Sequence, residues 1–212
     1  VGFVPGNAIS AAHAPGTMHI LGYFIDPAST AIERLCRRMI AGRQERNARI
    51  VQRLAAIGRP IRLERVLELA GGGVVGRPHI ARAMVEAGHV KTLRQAFSHY
   101  LAKGCPAYVG RDRLDPAEAI GVIRQAGGVA CLAHPPQLGC RTYPELQTLA
   151  GRLVDHGLGA IEVHHPDHKP LDTRMAMMLA ARWRLASTGG SDFHGPFAPP
   201  GREVGLDRKS VV

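Results

Sequence analysis

Two apolar runs of this chain end in side chains that could hold a metal ion. Ser191-Asp192-Phe193-His194 follows the apolar residues around Leu185, and Leu132-Ala133-His134-Pro135 closes the run that starts at Val129. In extended backbone, residues i and i+2 point to the same side, so Asp192 and His194 converge on one point. One carboxylate and one imidazole at a glycine-rich strand end suit a divalent cation, and His134 adds an imidazole at the same kind of position.

These side chains need elements to carry them. Asp115-Pro116-Ala117-Glu118 combines an N-cap, a first-turn proline and a capping-box acid, which predicts a helix from 116 to about 126. Strand Val129 to Ala133 follows. Leu146, Leu149, Ala150, Leu153 and Val154 recur at helical spacing before strand Ala160 to His164. Leu171, Met175, Met178 and Leu179 do so before strand Leu185 to Thr188. Three helix-strand units in succession predict a parallel α/β arrangement, in which functional groups gather at the carboxyl ends of strands. His134, His164 and the Asp192/His194 pair all fall there.

The amino-terminal part reads differently. An apolar piece and then Met18 to Ile25 predict two short strands, and Asp26-Pro27 is read as the start of a helix reaching about Ala56, interrupted near Gly42. No strand is predicted between 27 and 106, so residues 27–106 are expected to form a helical insertion, with residues 1–26 and 107–212 as the α/β domain. Within the insertion, Thr92 and Gln95 have capping-box spacing ahead of Leu93, Ala96, Phe97, Tyr100 and Leu101. Gly71-Gly72-Gly73 lacks the Lys-Ser/Thr of a phosphate loop and reads as a turn.

Composition narrows the class. At 212 residues, 45% hydrophobic and 21% charged, the chain can bury one sizeable core and is not of disordered type. No apolar run approaches the roughly 18 residues of a membrane span, so a soluble, cytoplasmic protein is expected. The cysteines Cys36, Cys105, Cys131 and Cys140 have no metal or redox spacing and read as buried free thiols. Much of the net charge of +10 sits between Arg34 and Arg53, either as a solvated helix face or as an attractor of phosphate-bearing partners. Met175, Met177 and Met178 read as core packing.

Taken together, the pieces Phe3-Val4-Pro5-Gly6-Asn7-Ala8-Ile9-Ser10, His19-Ile20-Leu21-Gly22-Tyr23, Gly76-Arg77-Pro78-His79-Ile80-Ala81-Arg82, Leu132-Ala133-His134-Pro135, Gly159-Ala160-Ile161-Glu162-Val163 and Gly190-Ser191-Asp192-Phe193-His194 resemble the PHP (polymerase and histidinol phosphatase) family. The resemblance covers nearly the whole chain. It implies a distorted seven-stranded β/α barrel related to TIM barrels, with a cluster of two or three metals at the strand ends. It makes His19, His134, Asp192 and His194 metal ligands, with Mn²⁺ as the first choice and Fe²⁺, Zn²⁺ or Mg²⁺ as alternatives. The Arg77-Pro78-His79 piece and the helical insertion look most like the branch acting on nucleoside 3′,5′-bisphosphates and short RNA 5′ ends. Arg77 would then bind substrate phosphate, with His79 lining that site or capping its helix. The implied partner is a phosphorylated small molecule or short nucleic acid, with no membrane and no obligate protein partner.

The departures are specific. The family opens on an Asp-x-His-x-His strand, which does not precede Val1, so the chain is expected to start inside its domain and to hold fewer metals than usual. Ala8 stands where the family has a glutamate ligand, and Pro136-Gln137 follows His134-Pro135 where relatives often have Gly-Arg. A non-catalytic PHP-like binding domain and a histidinol-phosphate phosphatase are the alternative readings. His164, His165 and His168 fall outside the family's metal set as matched and read as a pocket wall or a polar loop.

Overall fold

The computed structural model describes residues 4–191, so Asp192 and His194 lie outside the described residues. The chain divides into two compact units, one being Leu35–Asp112 and the other formed by the segments on either side of it. The division falls within a helix.

In the flanking segments, β1 (Gly6–Ala11), β2 (Met18–Tyr23), β3 (Val129–Leu132), β4 (Ala160–His164) and β5 (Ala186–Gly189) form one sheet in that order. The sheet is mixed. β1, β2 and β3 pair antiparallel, whereas β3, β4 and β5 run parallel because a helix returns the chain each time. Those helices are α6 (Tyr143–Asp155) and α7 (Pro170–Trp183), and α5 (Pro116–Gln125) leads into β3. The expected seven strands are five among the described residues.

Registers show what each face carries. Ile9 pairs with Ile20, Ile20 with Leu132 and Leu132 with Ile161, a buried apolar row. α5 packs on β1, β2 and β3, and α7 on β4. The other face carries the row Ala8, Leu21, Cys131, Ala160, with His19 and Ser10 paired two residues along and Glu162 paired with Thr188. Period-two alternation thus separates a core face from a face rich in polar groups.

α5 forms where its caps predict: the Asp115 carboxylate accepts from the Ala117 N–H at 2.8 Å and Pro116 opens the helix. The first long helix departs from expectation. Asp26 instead makes a turn, its carboxylate accepting from the Ala28 N–H at 2.9 Å, and α1 starts at Thr30 and runs unbroken through Gly42 to Ala56. Its buried positions include Leu35, Arg46, Asn47, Ile50 and Leu54, while Cys36 and Ile40 are exposed. In α7 the buried residues are Ala176, Leu179 and Ala180, leaving Leu171, Met177 and Met178 exposed against expectation. Small residues face the sheet there, because β4 packs close against the helix.

The second unit, Leu35–Asp112, is helical, with α2 (Leu63–Leu69), α3 (Arg77–Glu86) and α4 (Leu93–Ala96) following most of α1. Val66, Ile80, Met84, Ile50, Leu54 and Leu101 make its core. Thr92 caps α4 by accepting from the Gln95 N–H, and Gln95 reaches back to the Lys91 N–H. α4 continues as one π-helical turn, Phe97–Leu101, and Leu93 is exposed rather than buried. The triple glycine forms a turn, with Gly71 and Gly72 at positive φ. No helix among the described residues is long and apolar enough to cross a membrane.

Core placement is testable. Ile120→Ala, which empties a fully buried position on α5, is expected to cost about 2–5 kcal/mol in urea unfolding. Met178→Ala on the exposed face of α7 should stay within about 0.5 kcal/mol.

Candidate metal centre

β2 and the end of β3 deliver two imidazoles to one place. His19 Nδ1 lies 3.1 Å from His134 Nε2, with the rings edge to face at 4.9 Å between centroids. The Ala133 N–H donates to the His19 carbonyl at 3.1 Å, which extends the β2–β3 pairing by one rung and sets both side chains at the same height. His134 is 4% exposed and has φ 28° and ψ 65°, left-handed backbone unusual for a residue with a side chain.

The turn after His134 is braced from the β1–β2 connection. The Thr17 N–H donates to the Gln137 carbonyl at 2.8 Å, and His13 Nε2 lies 2.9 Å from the Leu138 carbonyl. Gly16 is required at this crossing, since a side chain there would run into the Gln137 and Leu138 backbone.

Two imidazole nitrogens bound to one cation at about 2.0–2.1 Å stand roughly 2.9–3.4 Å apart for bond angles between octahedral and tetrahedral values. The 3.1 Å between His19 and His134 falls in that interval. Among the described residues no group of three His, Cys, Asp or Glu side chains could hold a metal. Ala8 lies on the face that carries His19 and brings no donor.

The histidines after β4 adjoin this pair. The His165 ring centroid is 6.0 Å from that of His134 and 5.3 Å from that of His168. His165 Nδ1 accepts from the Asp167 N–H, and His168 Nδ1 donates to the Val163 carbonyl at 3.0 Å. His165 is buried and walls the candidate centre.

Sequence reasoning missed Glu162 as a site residue. It is 3% exposed, in the middle of β4, and its Oε2 accepts from the His134 N–H at 2.7 Å. The signal available was an acid inside an otherwise apolar strand, a position that acids occupy only when partnered. Beside it, Cys131 Sγ lies 3.3 Å from Thr188 Oγ1. Burial pushes the Cys131 thiol up to about 12, with the neighbouring Glu162 carboxylate adding to the effect. Burial likewise raises Tyr23 to about 12, with Cys131 and Glu162 adding.

The second unit holds the other predicted residues. Arg77 Nη1 donates to the Leu101 carbonyl at 3.0 Å, and its guanidinium carbon is 6.0 Å from the Phe97 ring centroid and 5.8 Å from that of Tyr108. His79 Nδ1 accepts from the Gly76 N–H at 3.1 Å, closing the first turn of α3. Arg46, in the stretch read from sequence as either a solvated face or an attractor of phosphate-bearing partners, is 7% exposed, and its Nε has no hydrogen-bond partner among the described residues. Desolvation lowers its pKa, and Arg111, Arg77 and Arg43 lower it further.

No family model matches the chain. The 5′-3′ exoribonuclease Rnm of Salmonella typhimurium is 35% identical over 193 residues, 91% of this chain and 66% of the relative. The 3′,5′-nucleoside bisphosphate phosphatase of Chromobacterium violaceum is 33% identical over 208 residues, 96% of this chain and 71% of the relative. A solved structure assigned to a metal-dependent phosphoesterase from Bifidobacterium adolescentis superposes with a TM-score of 0.69 and 31% identity, over 92% of this chain and 69% of that one.

The chain belongs to the PHP-like phosphoesterases, in the branch of these relatives. A solved structure described as an amidohydrolase from Chromobacterium violaceum, with bound sulfate and no metal, gives the same TM-score of 0.69 at 31% identity. The chain spans 66% of the length of the exoribonuclease.

Burial of Cys131 has two measurable consequences. At pH 8 a thiol reagent is expected to label exposed Cys36 and to spare Cys131 until the chain is unfolded. The folded values of Cys131 and Tyr23 lie above their ordinary 9.0 and 10.0, so the stability they contribute is intact below pH 9 and is lost as pH rises to about 12. The urea midpoint should fall across that window, and less steeply in Cys131→Ala.

Proposed function

We propose that the chain is part of a metal-dependent phosphoesterase that hydrolyses phosphomonoesters of nucleotides or short nucleic acids. The single observation that carries the reading is the 3.1 Å approach of His19 and His134 from adjacent strands, a spacing suited to one shared cation. Asp192 and His194 complete the proposed ligand set, within a proposed seven-stranded barrel into which residues 27–106 are inserted. Mn²⁺ is the proposed metal, and the proposed setting is the cytoplasm. When bound, such a cation lowers the pKa of a water and draws charge from phosphoryl oxygens.

The chain's own residues prepare this. His19 and His134 must present lone pairs, so each is neutral at the coordinating nitrogen. His165, packed beside His134, excludes water from one side.

The arginines of the second unit support the phosphate part of the reading. A buried guanidinium among like charges is costly unless an anion joins it. For Arg46 the neighbouring charges that act are cationic, with Tyr108 alone opposing them. A phosphate dianion meets that need and matches the planar fork of Arg77. His79, with Nδ1 engaged in capping α3, has Nε2 for the same ligand.

The second reading, a binding domain without turnover, is favoured by Ala8, which places no carboxylate where the family has its glutamate. Metal analysis and a phosphatase assay of the full-length gene product with nucleoside 3′,5′-bisphosphates and Mn²⁺ separate the two. Turnover with at least one bound metal is expected; no turnover with less than one metal would sink the enzyme reading.

Arg46→Met should raise the melting temperature by relieving repulsion, yet weaken the stabilisation given by inorganic phosphate roughly tenfold or more. A variant that loses stability and keeps the phosphate response would contradict this.

A further inference from the structure

We infer that Glu162 is a positioning residue: its carboxylate holds the His134 peptide in left-handed backbone and thereby aims the imidazole at His19. The inference rests on the reading of His19 and His134 as metal ligands. It starts from a backbone that should not persist unaided. His134 has φ 28° although it carries a side chain, a backbone conformation that is unfavourable for L-residues. Pro135 follows, and a proline pushes the residue before it toward extended backbone. The surroundings must therefore impose this conformation.

Glu162 is placed to do so. Its Oε2 accepts from the His134 N–H at 2.7 Å in a buried setting, where a charged acceptor makes a short and strong bond. The Gln137 N–H donates to the His134 carbonyl at 3.0 Å from the other side, so the peptide groups flanking this Cα are both held. Rotation of either would swing Cβ and carry Nε2 away from its position 3.1 Å from His19 Nδ1. β4 supplies the clamp because Glu162 shares the sheet face of Cys131 and Thr188. The residue after β5 leaves room for it: a Cβ on Gly190 would meet Glu162 Oε1 at 2.9 Å.

Glu162 thus acts through the backbone of a ligand. Partners of that kind commonly contribute 10–100-fold to metal affinity without touching the metal. A glutamine in its place keeps a carbonyl acceptor and loses the charge, whereas alanine loses both.

The test uses the whole chain, isotopically labelled and metal-free, with hydrogen exchange at the His134 amide as the first readout and affinity for cobalt(II) as the second. Glu162→Ala is expected to lower protection of that amide at least tenfold and to weaken cobalt binding about 10–100-fold. Glu162→Gln should keep most of both. Gly190→Ala, which displaces the carboxylate without removing it, should resemble Glu162→Ala and add nothing further in the double variant. It also serves if Glu162→Ala does not fold. Unchanged protection of the His134 amide in Glu162→Ala or Gly190→Ala overturns the inference. Glutamine losing cobalt as fully as alanine also does so, since the carboxylate would then be a ligand or a required charge. If the parent chain binds no cobalt, the metal reading fails while amide exchange still decides the role of Glu162.

Discussion

Strand alternation in a sheet covered on one side by helices is the constraint from which the flanking unit follows. Once Ile9, Ile20, Leu132 and Ile161 are committed to the helix side, Ala8, His19, Cys131, Glu162 and Thr188 must share the opposite one. A shift of one residue in any strand would exchange the two sets, so the hydrophobic core itself fixes the height at which each polar group stands. Burial then makes those groups costly unless partnered, and they partner one another: Cys131 with Thr188, Glu162 with the His134 N–H. The position of the His134 ring is thus tied to the core through both the β2–β3 pairing and the β4 carboxylate.

The helical unit meets a related cost differently. Leu54, Val66, Ile80, Met84 and Leu101 form an ordinary apolar core, yet α1 also buries Arg46 and Asn47. A guanidinium so placed does not serve stability, because an apolar side chain of similar volume would avoid the desolvation and the repulsion from Arg43, Arg77 and Arg111. A desolvated charge of this kind is what the proposed anion site would require, since perturbed charges cluster at functional positions.

Elements with local chemistry were legible in the sequence. Asp115 and Pro116 announce α5 because a cap and a fixed φ act within one turn, and β3 and β4 are apolar runs bounded by glycine. The placement of His134 at a strand end could be read for the same reason. What could not be read depends on partners distant in sequence. Which stripe of α1 and α7 is buried is decided by what packs there, so Cys36, Leu171, Met177 and Met178 point outward although their spacing is helical. Asp26 is a good cap by type, but its carboxylate is taken by the Ala28 N–H and the helix starts later. For Glu162 the sequence shows an acid within a strand, but nothing local to it shows the His134 N–H that it accepts from.

Ala8 changes the electrostatics of the centre in a definite direction. A cation held by neutral imidazoles keeps its full charge, whereas a carboxylate ligand removes one unit. With alanine at position 8, on the face of His19, a dication held by His19 and His134 would be bound less firmly and would attract phosphate more. On the proposed reading, a centre of this composition would favour a strongly charged ligand that arrives with the metal over a metal bound alone. Affinity for the cation should accordingly depend on phosphate more steeply in this chain than in an Ala8→Glu variant, because each partner supplies the countercharge that the other lacks.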